Sequence, residues 1–233
     1  MSALSTTRFS RVFFASAVLA GTLLTVPSAQ AQLVNGSFET GTFSGSNPQG
    51  AADSTQLQNG ATSITGWTVV DELAWHGPTA PYGISASNGG RYLDLTGYSD
   101  NQPHGGVQQV LALTVGNSYR LSFDIGYSQL YSGTPTGVTV TSTGAGSQTF
   151  NYSGVTNVNS GWQTFAYDFT ATSAATTILL RGSAGSAGNY IGLDNVALAV
   201  TGTGGAAAPE PGSLALLLPV LGAVGMVVRR RKR

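Results

Sequence analysis

The run Asp71-Glu72-Leu73-Ala74-Trp75-His76-Gly77-Pro78-Thr79-Ala80-Pro81-Tyr82-Gly83 gathers two acids, a tryptophan, a histidine and a tyrosine between turn-forming residues. Those residue types suit a sugar. Sugar rings present apolar faces that stack on aromatics, and their hydroxyls need carboxylates or amides as partners. Asp71, Trp75, His76 and Tyr82 are therefore candidate ligand contacts on a proline-bounded loop. A second run, Tyr98-Ser99-Asp100-Asn101-Gln102-Pro103-His104-Gly105-Gly106, adds Tyr98 and Asp100. The competing reading makes Trp75 and Tyr82 packing anchors for a long loop, as loop aromatics often are. Trp67 and Trp162 fall in alternating patterns and read as core.

The same residues argue against catalysis. Asp71 and Glu72 are neighbours, so on a strand they point to opposite faces. Glycoside hydrolysis needs two carboxylates facing each other across the bond to be cut. The chain has no G-x-S-x-G elbow, H-E-x-x-H helix, Walker loop or G-x-G-x-x-G turn. His76 and His104 are the only histidines, too few by themselves for a catalytic zinc site. The expectation is a noncatalytic protein, with a hydrolase as the weaker alternative.

Charge narrows the partners. Residues 32–208 hold three basic residues, all arginine, against nine acids, a net charge of −6. Nucleic acid is disfavoured, because phosphate binding needs clustered cations. Neutral sugars and cations remain compatible. Cysteine is absent, which excludes disulfides, Cys-ligated zinc and thiol nucleophiles.

The elements that must position these groups are strands. Tyr119, Leu121, Phe123 and Ile125 alternate with Arg120, Ser122 and Asp124, and Phe165, Tyr167 and Phe169 alternate with Thr164, Ala166 and Asp168. Further candidates are 64–70, 91–95, 107–113, 138–143, 176–181 and 190–200, separated by turns such as Asn88-Gly89-Gly90. Eight or nine such strands predict one all-β domain over residues 32–200, a β-sandwich of jelly-roll type; immunoglobulin-like and open-barrel topologies also fit the pattern.

Particular residues carry a resemblance. Leu33-Val34-Asn35-Gly36-Ser37-Phe38-Glu39 looks like the opening strand of galactose-binding-like jelly rolls, a group with several carbohydrate-binding modules and the DUF642-type domains. Gly66-Trp67, Gly90-Arg91-Tyr92-Leu93-Asp94-Leu95, Val107-Gln108-Gln109, Gly161-Trp162-Gln163 and Tyr190-Ile191-Gly192-Leu193-Asp194-Asn195-Val196 follow in matching order. The resemblance implies carbohydrate binding, here of exopolysaccharide. It also implies a structural calcium tying the first strand to the last, with Glu39 and Asp194 at the matching ligand positions. Calcium takes six to eight oxygens, most of which carbonyls can supply. A surface structural or adhesion protein is the alternative function.

The two ends speak of destination. Arg8 and Arg11 precede an apolar stretch, 12–26, and Ala29-Gln30-Ala31 is an A-x-A cleavage site, so residues 1–31 read as a signal peptide. After a small-residue linker, 201–208, come Pro209-Glu210-Pro211, an apolar run over 214–228 and five terminal cations. This order resembles the PEP-CTERM sorting signal of Gram-negative bacteria. The resemblance implies an exosortase-type sorting protease as partner, acting near Pro209, Glu210 and Pro211. The apolar run would span roughly 22 Å as a helix, short of a hydrocarbon core of about 30 Å, and flanking arginines can snorkel to extend its reach. The terminal cations stay cytoplasmic by the positive-inside rule. The expected course is export, anchoring at the inner membrane on its periplasmic side, then release to the cell surface or matrix.

Overall fold

The computed structural model describes residues 33–99, 102–131, 136–152, 160–183 and 190–204. The expected signal peptide, the expected sorting motif at Pro209, Glu210 and Pro211, and the apolar run lie outside the described residues, as does Asp100. Among the described residues the chain is all-β, with a single 3-10 turn at Gln129–Tyr131.

The strands are β1 Ser54–Leu57, β2 Thr68–Val70, β3 Leu73–His76, β4 Tyr92–Asp94, β5 Gly106–Ala112 and β6 Ser118–Tyr127. They continue with β7 Thr136–Ser142, β8 Gly146–Tyr152, β9 Gly161–Thr170, β10 Ala175–Gly182 and β11 Gly192–Gly202. One sheet runs β1-β3-β4-β11-β6-β9 and the other β2-β5-β10-β7-β8. Every named pairing is antiparallel. The two sheets bury their alternate residues against each other. Trp75, Leu93, Leu121, Phe123, Ile125 and Leu193 come from the first, and Val107, Leu111, Val138, Val140, Ile178 and Leu180 from the second.

The opening segment departs from expectation. Leu33 to Glu39 forms no strand; it turns at Asn35 and Phe38, both at positive φ. It still meets the last strand, because Val196 N donates to Gly36 O at 2.8 Å. A bulge in β11 makes that possible. Asn195 takes φ 53° and the register against β6 shifts between Asp194 and Ala197. An extra residue re-aims the side chains beyond it. Leu193 points into the core before the bulge, and Val196 does so after it.

Two further expectations are corrected. Residues 73–76 lie in a strand rather than a loop, and all four are buried. Leu73 and Trp75 face the core, so Ala74 and His76 face the outer side of the first sheet. A strand covered on both faces loses the alternation by which strands are recognised. Trp162 is half-buried on β9 rather than central in the core.

Candidate functional site

The outer face of the first sheet carries His76 from β3, Tyr92 and Asp94 from β4, Asp124 and Gly126 from β6, and Gly192 and Asp194 from β11. All are one position out of phase with core residues. The connection from β3 to β4, residues 77–91, lies across this face and is tied down along its length. Asp53 accepts Thr79 N and Thr79 Oγ1, both at 2.7 Å. Ser128 Oγ donates to Tyr82 O, Tyr92 OH to Ile84 O at 3.2 Å, and Trp162 Nε1 to Ser85 O at 2.8 Å.

Two carboxylates hold the far end. Asp194 Oδ2 accepts Ser87 N and Asn88 N at 2.9 Å each, and Asn195 N reaches Oδ1 at 2.6 Å. Glu39 Oε1 accepts Gly90 N at 2.8 Å and Arg91 N at 2.7 Å. These are the two residues that the family resemblance nominates as calcium ligands. Here both accept hydrogen bonds: Glu39 Oε1 faces two backbone N–H groups, and the Asp194 oxygens face three backbone N–H groups and the Ser87 hydroxyl. Among the described residues, no three acids, histidines or cysteines gather as a metal-binding group. Glu39 and Asp194 thus hold this loop end as carboxylate acceptors. Melting with and without a chelator separates the two roles: an unchanged transition is expected where these hydrogen bonds alone hold the loop end, and a clear drop restored by added calcium where the two carboxylates also hold the ion.

Between loop and sheet lies a cavity of about 130 Å³, with His76, Tyr82, Asp94, Tyr98, Tyr131 and Tyr190 in its wall. Three of the sequence-predicted contacts, His76, Tyr82 and Tyr98, are thus brought together. Tyr190 stacks on His76 with centroids 6.2 Å apart and on Tyr131 at 5.6 Å, while Tyr82 tilts against His76 at 4.3 Å. A hydrogen-bond relay orients the histidine. Tyr82 OH donates to Tyr98 OH at 3.3 Å, Tyr98 OH contacts Ser54 Oγ, and Ser54 Oγ lies 2.7 Å from His76 Nδ1. Each hydroxyl has one proton to give. If the protons pass in that order, Nδ1 accepts and Nε2 carries a proton. His76 is 1% exposed, and among the described residues its buried Nε2 has no hydrogen-bond partner. Asp94, 5% exposed, supplies the opposite chemistry. Its Oδ1 is fixed by Thr96 Oγ1 at 2.7 Å and Thr96 N at 3.0 Å. Burial pushes the phenols of Tyr82, Tyr98 and Tyr190 above their ordinary range, so they remain neutral donors.

The other predicted contacts lie elsewhere. Trp75 is fully buried and its indole N–H donates to Phe38 O at 3.1 Å, so it has no face for a ligand; the packing reading describes it. Asp71 and Glu72 line a separate polar recess of about 400 Å³. They share it because Asp71, at φ 59°, falls outside the strands and breaks the alternation expected of neighbours. Both are engaged: Asp71 pairs with Arg181, and Glu72 Oε1 accepts Gln56 Nε2 at 2.7 Å and Tyr98 N at 2.8 Å. Ser54, Asp94, Tyr131 and Tyr190 escape a sequence reading as site residues. Tyr190 and Asp94 sit inside strand-like motifs, and only the β3-β4-β11 strand order brings them together.

Comparison with solved structures places the chain beside several β-rich binding domains. A CBM61 module in complex with β-1,4-galactotriose shares 18% identity, covering 74% of this chain and 99% of that one, with a TM-score of 0.43. The CBM22-1 xylan-binding domain of Paenibacillus barcinonensis Xyn10C shares 16% over 64% of this chain and 94% of that one, at 0.40. The K1 cleaved adhesin domain of Lys-gingipain from Porphyromonas gingivalis shares 14% over 64% and 99%, at 0.45. No curated protein matches the sequence. The family model of DUF642, described as a protein of unknown function, matches residues 31–198, and the chain belongs to that family.

Proposed function

We propose that this protein is a noncatalytic carbohydrate-binding protein whose ligand enters the tyrosine-walled cavity. One observation carries the reading: aromatic rings converge on a space that also holds a buried imidazole nitrogen, which among the described residues has no hydrogen-bond partner, and a fixed, buried carboxyl group. A sugar ring needs that combination, an apolar face for its C–H groups and charged or neutral partners for its hydroxyls. Asp94 accepts a hydrogen bond from a sugar hydroxyl, while His76 Nε2 donates to a ring or hydroxyl oxygen. The acid in the wall and the net charge of −6 over residues 32–208 favour a neutral glycan over an anionic one.

The test is direct binding of the purified protein to a glycan panel that includes β-1,4-galactan and xylan. Tyr131, 36% exposed, can be truncated without opening the core. Tyr131→Ala is expected to weaken binding about tenfold, the equivalent of one aromatic contact, with an unchanged melting temperature. Equal affinity in the variant, or no binding by either protein, would remove the cavity from consideration.

Delivery belongs to the same proposal. The A-x-A site and the Pro209-Glu210-Pro211 tail support export followed by exosortase-type sorting, which would present the domain to polysaccharide outside the cell.

A further inference from the structure

The loop that walls the tyrosine cavity has a second side. Gly83, Ile84, Ser85 and Ala86 line a recess of about 470 Å³ together with Gln129 and Trp162. Trp162 is half-buried and its indole lies flat on two paired glycines. A Cβ on Gly126 would fall 2.5 Å from the indole, and one on Gly192 would fall 2.9 Å from it. Gly126 stands opposite both Trp162 and Gly192 in the strand register. Any side chain at these positions would lift the ring, so the sequence of three strands is arranged to lay one indole along the sheet.

The recess and the cavity are continuous in their walls. Tyr82 belongs to one and Gly83 to the other; Tyr131 belongs to one and Gln129 to the other. Between them stands Leu130, 58% exposed, seated over Gly83, where a Cβ would fall 2.9 Å from Leu130 Cγ. The aromatic series is also unbroken: Trp162 to Tyr92 at 5.8 Å, Tyr92 to His76 at 5.2 Å, His76 to Tyr190 at 6.2 Å and Tyr190 to Tyr131 at 5.6 Å. An exposed leucine between two ring-bearing openings is a surface that gains by being covered.

We infer that Trp162 and Leu130 form a second subsite for the same ligand, which is therefore a glycan chain of several residues rather than a free monosaccharide. This rests on the carbohydrate reading of the tyrosine cavity. One residue occupies the cavity, and its neighbours in the chain cross Leu130 and stack beside Trp162. Stacking reads only the apolar face, so this subsite adds affinity for length with little demand on hydroxyl configuration.

The experiment measures the affinity of the full chain for neutral β-1,4-linked gluco-, xylo- and galacto-oligosaccharides, each from monosaccharide to hexasaccharide. Affinity is expected to rise with length in the series that binds. Trp162→Ala also removes the Ser85 tie of the loop, so it should lower affinity for every length, but for the longest member about tenfold more than for the shortest binding member, whereas Tyr131→Ala lowers all lengths alike. Melting temperatures accompany each variant; if Trp162→Ala does not fold, Trp162→Phe, which keeps a smaller flat face, takes its place and should show a reduced length dependence. A wild-type affinity independent of length, or a folded Trp162 variant with the wild-type length dependence, overturns the second subsite while the cavity stands. Failure of every member to bind, or an ineffective Tyr131→Ala, overturns both.

Discussion

Gly36→Ala is expected to destabilise the protein by about 3 kcal/mol, the upper range for forcing an extra carbon into a packed site. A Cβ at this position would lie 1.7 Å from Val196 O and 2.8 Å from its carbonyl carbon. Both atoms are backbone, so no side chain can swing aside. Relief requires separating the opening segment from β11, which also breaks the Val196 N to Gly36 O bond. The internal control is Gly60→Ala. Gly60 sits at φ 82°, where a Cβ meets nothing within 4 Å. Its cost is conformational alone, about 1 kcal/mol. Urea denaturation of the two variants should separate them clearly. Equal midpoints would mean that the opening segment is not clamped against the last strand.

Asp194→Ala should have an effect of similar size, and it should reach the ligand site. Asp194 is fully buried and receives Ser87 N, Asn88 N, Ser87 Oγ and Asn195 N. Removing the acceptor takes this partner from the three backbone N–H groups, at about 1–3 kcal/mol for each one that stays buried, while Ser87 Oγ keeps Asp124 Oδ2 at 2.8 Å. The loop bearing Tyr82 loses its hold, so glycan affinity should fall with stability. Asp194→Asn separates shape from charge. Burial pushes the Asp194 carboxyl up to about 7, although the four hydrogen bonds favour the anion. The unfolded carboxyl titrates near ~3.9. Between those values the folded chain binds a proton that the unfolded chain does not. Asp194 therefore favours folding most at low pH, and this contribution is lost as pH rises through about 7. Melting temperature should fall from about pH 5 to about pH 8 in the wild type, with a smaller slope in Asp194→Asn. Identical slopes would show that the carboxylate is already charged across that range.

Strands with one wet face are readable before folding. In β6, Tyr119, Leu121, Phe123 and Ile125 face the core, and in β9 Tyr167 and Phe169 do, so a period of two appears in the chain. β3 is not readable, because the 77–91 loop covers its outer face and both sets of residues are buried. β8 is hidden for the opposite reason: it is an edge strand whose first four residues are exposed, so little hydrophobic signal remains. The candidate site divides in the same way. His76, Tyr82 and Tyr98 announce themselves as polar aromatics between turn residues. Trp75 carries the same signal and lies in the core, since its neighbour His76 takes the outward position.

By itself the sequence determined the all-β class, the absence of thiol chemistry, the acidic balance of the 32–208 region and the stock of residues able to meet a sugar. Those are properties of residue types and of local period, and they need no knowledge of which strands adjoin. Tertiary structure alone decided that Tyr190 and Tyr131 join His76, that Gly126 and Gly192 lay Trp162 flat, and that Glu39 and Asp194 hold a loop. Those contacts join residues up to 114 positions apart, as between His76 and Tyr190. They arise from the order in which antiparallel strands pair, which local pattern does not encode.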